Sequence, residues 1–358
     1  MPGPKPKVLL GMSGGVDSSV AAALLLEQGY EVIGAFMRNW SDCAWRADRR
    51  DANRVAAQLG IPFLTLDFEK EYREKVIDEM FREFAAGRTP NPDVLCNRHV
   101  KFDLFAREAD RLGCDFVATG HYARVQHGTD PTHALSLARG GVARLMRPAD
   151  TEKDQTYFLW AIEPKVLPRV LFPLAGLTKP EVRAKAKALQ LPVADKPDSV
   201  GICFVGEVDM KQFLAQRIPH VRGRIVTTDG RDVGTHDGLP FYTIGQREGL
   251  GVSASEPYYV VEKRMATNEL VVGSAFDPGL FKKTVSANQA NWFRRPQAGD
   301  RVGARIRHRG PIAPCTVDAV GDATVSITFD EPQRAVTPGQ SIVFYDGDEV
   351  LGGGVLSS

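Results

Sequence analysis

The sequence lacks several things, and each absence narrows what the protein can be. There is no Cys-x-x-Cys pair. The five cysteines, Cys43, Cys96, Cys114, Cys203 and Cys315, are odd in number and widely scattered. That argues against a zinc ribbon or a disulfide framework and leaves thiols that are either inert in a core or catalytic. No apolar run approaches the roughly 20 residues of a membrane span, Val20 to Leu26 being among the longest. The opening MPGPKPKVLL has no extended apolar segment before a cleavage site, so no signal peptide is read and a cytoplasmic location is the default expectation. Neither a Walker A Gly-Lys-Ser/Thr nor a GxGxxG fingerprint occurs. Internal repeats and low-complexity tracts are also missing. Charge of neither sign dominates: 45 Lys and Arg face 44 Asp and Glu, a net +1. A nucleic-acid binder would therefore need a local basic surface. One candidate exists, because Lys282, Lys283, Arg294, Arg295, Arg301, Arg305, Arg307 and Arg309 share their stretch with a single acid, Asp300. A solvated β surface is the plainer explanation of the same charges.

What is present is enough for two or three domains in 358 residues. Strands are expected at 7–13, Glu31–Met37, Pro62–Phe68 and Asp115–Gly120, and helices at Asp17–Gln28, Asp48–Leu59, Glu69–Ala85 and Lys101–Leu112. This alternation implies a parallel sheet covered by helices on both faces. Gly87–Asn97 reads as a loop and Gln126–Arg139 as a mobile insertion. Helical pattern returns at Asp154–Trp160 and Lys179–Leu189, and Pro192–Phe204 reads as a loop. After about residue 208 the chain turns to short strands separated by Gly, Asp and Pro, as a small barrel or sandwich requires. The domain boundaries expected are 1–207, 208–275 and 276–358.

Three motifs carry chemistry. Ser13-Gly14-Gly15-Val16-Asp17-Ser18-Ser19 lies between a strand and a helix. There, free backbone N–H groups and the positive helix end face an anion. Gly14 and Gly15 allow close approach to a phosphate, Ser13 and Ser18 offer hydroxyls, and Asp17 is suited to capping the helix or helping to hold Mg²⁺. Asn91-Pro92-Asp93-Val94-Leu95-Cys96-Asn97 sets an acid three residues from a thiol. Asp93 can shuttle a proton, and Cys96 becomes a nucleophile once its pKa is lowered or a base is near. Read alone, the plainer alternative for this segment is a Pro-stiffened turn with an incidental cysteine. Asp198-Ser199-Val200-Gly201-Ile202-Cys203-Phe204, read alone, is a buried cysteine in an apolar patch.

The first loop resembles the SGGxDS pyrophosphate loop of the N-type ATP pyrophosphatases, which activate a carbonyl oxygen by adenylation. Taken together, the three motifs resemble those of the bacterial tRNA 2-thiouridylase family, MnmA. The resemblance also covers Gly34–Trp40, Ala118–Ala123, Lys153–Leu159, Thr243–Arg247, Thr337–Gln340 and Leu351–Gly354, nearly the whole chain. It implies an α/β, parallel-sheet domain like the adenine nucleotide alpha hydrolases, then a small central domain and a C-terminal β-barrel. It further implies that Gly11, Met12, Ser13, Gly14, Gly15, Val16, Asp17 and Ser18 bind ATP, with Met37 and Gly120 beside the adenosine. Cys203 is implied as the persulfide carrier, Cys96 as its catalytic partner and Asp93 as acid/base. Asn91, Pro92 and Asp93 are expected at a flipped target base, and His121, Lys153, Asp154, Gln155, Arg307, His308 and Gln340 as tRNA contacts. The chain departs from the family in the short Ser41–Trp45 segment after Trp40, where members carry a longer acidic stretch, which leaves Cys43 and metal ligands without a role. His308 stands where the family often has an aromatic residue.

The implied activity is ATP-dependent 2-thiolation of the wobble uridine of tRNA, a sulfurtransferase reaction with Mg²⁺ as the expected metal cofactor. Its expected partners are the tRNA anticodon stem-loop and a sulfur-donor desulfurase or relay protein, with neither membrane nor DNA involved. C2 of a stacked uracil is hard to reach, so the base must leave the stack, which an anticodon loop makes inexpensive. Two rivals were weighed. An adenylating synthetase of a small molecule needs neither two cysteines nor a basic C-terminal barrel. An RNA-binding module without catalysis does not need an intact Ser13–Ser19 loop.

Overall fold

The computed structural model describes residues 5–41, 45–127, 143–198, 209–252 and 256–357. Five parallel strands, β1 (Lys7–Gly11), β2 (Glu31–Arg38), β3 (Phe63–Asp67), β4 (Phe116–Thr119) and β7 (Val170–Leu171), lie in the order β3-β2-β1-β4-β7. Consecutive side chains point to opposite faces of the sheet. Leu9, Ala35 and Met37 accordingly join one core with two long helical runs, α3 (69–85) and α4 (92–111). Val8, Leu10 and Phe36 join a second core with α1 (Val16–Glu27), α2 (Trp45–Leu59) and α5 (Lys179–Ala188). The strand order reverses between β1 and β4, and the carboxyl ends of strands at such a switch point form a natural ligand crevice.

Two sequence expectations need correction. Helix α4 begins at Pro92, not Lys101, because Asn91 caps it: its side chain accepts from the N–H groups of Asp93 and Val94. Proline is welcome in the first helical turn, where no donor is needed. The segment read as loop thus carries Asp93 and Cys96 on a helix. Asp154–Trp160 is not an α-helix either. It holds only a short 3₁₀ turn at Thr156–Phe158.

In the span read as an insertion, β5 (Arg124–His127) pairs with β6 (Ala143–Met146), while residues 128–142 lie outside the described residues. Strand β6 pairs in turn with β17 (Glu349–Leu356). The hairpin therefore extends the C-terminal sheet from within the first domain. That sheet closes on itself as β12 (Phe281–Trp292), β15 (Thr324–Arg334), β14 (Ala313–Val320), β13 (Arg301–Arg305), β16 (Ser341–Asp346) and β17, with β17 returning to β12. Between the two lies helix α6 (Met210–Ala215) and a four-stranded sheet. Its strands are β8 (Gly223–Thr227), β9 (Asp232–His236), β10 (Tyr259–Arg264) and β11 (Glu269–Gly273), in the order β10-β11-β8-β9. No helix among the described residues is long and apolar enough to cross a membrane.

Candidate active site

Two groups of residues assemble around α4. The first is the loop between β1 and α1. Gly14 has φ +76, and a Cβ there would lie 2.2 Å from the Asp48 carbonyl oxygen of α2. Gly120 follows β4, and a Cβ there would lie 2.7 Å from the Ser18 nitrogen. Only glycine lets the loop turn so sharply and the two strand ends approach so closely. The hydroxyls of Ser13 and Ser18 lie 3.2 Å apart, and Ser18 also receives the Ser13 N–H. Met37 is buried, its methyl 3.1 Å from where a Cβ on Gly11 would stand.

Charged residues that sequence reasoning passed over brace this loop. Lys196 Nζ donates to the Gly14 carbonyl at 3.0 Å and to Asp48 and Asp51 at 2.7 and 2.8 Å. Asp17 accepts from the Tyr122 hydroxyl at 2.9 Å and from Lys179 Nζ at 2.7 Å. Burial and the Asp17 carboxylate together push the Tyr122 phenol far above its ordinary pKa, so it stays a donor. Lys179 also reaches Asp198, which meets Lys153 and Arg183 as well. Asp198 is thereby held well below the usual carboxylate range despite its partial burial, chiefly by its bonds to Lys179 and Lys153. One sign was legible in advance: a lysine in the first turn of a helix opposes the macrodipole, and residues that break a local rule tend to be functional.

The second group lines a cleft of about 740 Å³ where all three domains meet. Asn91, Pro92 and Asp93 come from the start of α4, Met210 and Leu214 from α6, Tyr242 and Gln246 from the central domain, and Gln340 from the barrel. Gln340 Nε2 donates to the carbonyls of Thr89 and Pro90, at 2.9 and 3.3 Å, and so fixes the approach to α4. Phe158 forms another wall, and the His308 ring packs on it at 4.4 Å. Burial lowers the pKa of His308.

Helix α4 joins the groups. Asp93 lies in its first turn, Cys96 is fully buried one turn on, and Asn97 donates to the Phe158 carbonyl at 3.0 Å. Further along, Lys101 Nζ lies 3.4 Å from Nε2 of His121, whose Nδ1 is 2.7 Å from the Thr119 hydroxyl. Burial, with the nearby Lys101 charge, drives the His121 pKa well below its ordinary value, so the ring is neutral. Eight residues separate Asp93 from Lys101, along a run that is α-helical to Cys96 and π-helical from Asn97 to Leu104. The cleft and the nucleotide loop are thus the two ends of one short rigid element.

The remaining expected contacts divide. Gln155 accepts from the Tyr122 N–H at 2.8 Å and orients the segment after Gly120. Lys153 is half-buried beside Asp198, and Arg307 is exposed, donating to the Arg334 carbonyl. Asp154 does not face solvent. Its carboxylate is 2% exposed and receives Arg147 at 2.8 Å, Arg305 at 3.3 Å and the Thr156 hydroxyl at 2.6 Å. The basic stretch of the barrel shrinks on the same ground. Arg294 pairs with Asp346 and Glu349, Arg295 with Asp322, Arg301 with Asp330, and Arg305 with Asp154. That leaves Lys282, Lys283, Arg307 and Arg309 as the cations of this stretch without a carboxylate at ion-pair distance among the described residues. Cys43 and Cys203 lie outside the described residues.

An open parallel sheet with a glycine-rich loop at its switch point, followed by two β domains, is a HUP-type α/β domain carrying accessory β modules. Comparison with known proteins agrees. Residues 6–207 match the tRNA methyl transferase HUP domain, 211–274 the tRNA methyl transferase PRC-barrel domain, and 282–356 the aminomethyltransferase beta-barrel domain. The tRNA-specific 2-thiouridylase MnmA of Lacticaseibacillus paracasei is 46% identical over 365 residues, covering 98% of this chain and 94% of that one. That of Halalkalibacterium halodurans is 48% identical over 360 residues, covering 98% and 94%. Among solved structures, the U34-tRNA thiolase NcsA of Methanococcus maripaludis matches at TM-score 0.35 and 20% identity, over 59% of this chain and 63% of that one. The chain belongs to the tRNA-specific 2-thiouridylase MnmA family.

Proposed function

We propose that this protein uses ATP to replace O2 of the wobble uridine (position 34) of tRNA with sulfur, forming 2-thiouridine, AMP and pyrophosphate. One observation carries the reading: a single helix bears Asp93 in the cleft, Cys96 one turn on, and Lys101 against His121, which follows Gly120 beside the nucleotide loop.

The uracil enters the cleft beside Asn91–Asp93, its O2 toward the Ser13–Ser18 loop. Uracil O2 attacks the α-phosphorus, pyrophosphate leaves with the bond pair, and Asp93 takes the N3 proton. The terminal sulfur of a persulfide on Cys203 adds to C2, and AMP departs. The Cys96 thiolate then attacks the Cys203 sulfur. This breaks the S–S bond, leaves sulfur on C2 as Asp93 returns the proton to N3, and forms a Cys96–Cys203 disulfide, 107 residues apart in sequence. A dithiol reductant restores both thiols, and a desulfurase or relay protein reloads Cys203. Arg307, the neighbouring free lysines, Lys153 and His308 serve RNA contact, with Gln340 holding the cleft rim. No group of three or more His, Cys, Asp or Glu able to hold a metal occurs among the described residues. Asp17 is the loop carboxylate that would help to hold a magnesium ion brought with the nucleotide. Bound there, it would neutralise phosphate charge.

The test is AMP formation with and without tRNA, alongside mass spectrometry of the wobble nucleoside with sulfide supplied. AMP that requires tRNA, together with 2-thiouridine, is the expected result. AMP formed without tRNA would move the protein to a small-molecule synthetase. In the Cys203→Ala variant thiolation should vanish while tRNA binding persists; retained thiolation would sink the persulfide assignment.

A further inference from the structure

Lys179 is the most anomalous charge beside the nucleotide loop. It is 8% exposed and is the first residue of α5, at the positive end of the helix. The helix does not need it there. Thr178 and Glu181 cap that end, the Glu181 carboxylate taking both the N–H and the hydroxyl of Thr178 at 2.7 Å. A buried ammonium costs free energy unless it meets negative charge. Lys179 Nζ meets it at Asp17, 2.7 and 2.9 Å from the two oxygens, and at Asp198, 2.8 Å away. Asp17 belongs to the loop itself and its side chain is 33% exposed, so an anion entering the loop competes for the same ammonium. Lys196 has no such freedom, since it is tied to the Gly14 carbonyl and two aspartates of α2. Around Asp198, moreover, three cations (Lys153, Lys179 and Arg183) share one carboxylate.

We propose that Lys179 is a phosphate-binding catalytic residue: its ammonium exchanges Asp17 for the β- and γ-phosphates of ATP in the Ser13–Ser18 loop. There it neutralises the charge that builds on pyrophosphate as the bond from the α-phosphorus breaks. The bond pair leaves on pyrophosphate, and no proton passes through Lys179. The exchange also frees Asp17 for a phosphate-bound cation. This rests on the ATP reading above.

The test compares wild type, Lys179→Met and Lys179→Arg in the full chain. It measures calorimetric binding of a triphosphate analogue blocked between the α- and β-phosphates, binding of AMP, and the rate of tRNA-dependent AMP formation. In Lys179→Met the analogue should bind at least about tenfold more weakly, the loss expected for a charged hydrogen bond. AMP, which has no β- or γ-phosphate, should bind as before. The rate should fall about 10²–10³-fold, as on removing one preorganised donor. Lys179→Arg keeps the charge and should recover part of both, which also guards against misfolding of the methionine variant. Equal loss for analogue and AMP, or no loss for either, would make Lys179 a structural counter-ion and overturn the proposal. Wild type that binds no nucleotide and forms no AMP would overturn the ATP reading itself, whatever the variants do.

Discussion

At the scale of single residues, the nucleotide loop is constrained more by its glycines than by its hydroxyls. Gly14 combines a positive φ with an Asp48 carbonyl that leaves no room for a Cβ. Gly14→Ala should therefore strain the backbone by about 1–3 kcal/mol and push α2 from α1. The measurements are thermal unfolding and ATP affinity. The variant should melt lower and bind ATP more weakly, and an unchanged protein would mean the loop relaxes freely. Of this site, the residues in SGGVDS were legible in sequence because a fixed spacing maps onto a fixed turn. The partners of Lys179, Lys196 and Tyr122 were not, although the helix-opening position of Lys179 was itself a sign. They come from distant segments, and only the packing of α5 and β4 against α1 brings them to the loop.

At the scale of elements, the informative error concerns 87–97. Two prolines and two asparagines suggest loop, yet Asn91 and Pro92 are a cap and a first turn, so the same residues that break a helix begin one. Helix α3 and the second half of α4 were easier, being periodic and apolar. The β5–β6 hairpin was missed because it pairs with β17, some 200 residues away, and no local pattern encodes that partner. The cap separates two roles for Asn91. Asn91→Ala should cost about 1 kcal/mol of stability through the lost cap. Asn91→Ser should restore stability while leaving 2-thiouridine formation low if the carboxamide also meets the base. Should Asn91→Ser restore both, the residue is a cap alone.

Across the whole molecule, the barrel is fastened to the first domain by side-chain bonds next to Gln340 of the cleft. Tyr157 donates to the Ser341 carbonyl at 2.9 Å, Trp160 to the Ser341 hydroxyl at 3.0 Å, and Asn291 to the carbonyls of Trp160 and Ile162. Asp154 is the ionic counterpart, joining Arg147 of the first domain to Arg305 of the barrel with almost no exposure. The family resemblance implies an RNA contact there, and the two roles make opposite predictions. Were Asp154 on the RNA surface, its neutralisation would leave stability within about 0.5 kcal/mol, as surface substitutions do. In the buried pair, Asp154→Ala strands the Arg305 guanidinium, while Arg147 keeps Asp348 at 3.6 Å, and should destabilise the protein by about 3–5 kcal/mol. Replacing Arg305 in the same chain should then cost much less than it does alone, because the charge it would leave unpaired is gone. Denaturant unfolding of the two single variants and the double variant decides it. Additive losses would place Asp154 outside the ion pair, whereas strong coupling makes it the bolt that seats the barrel, and with it Gln340, on the cleft.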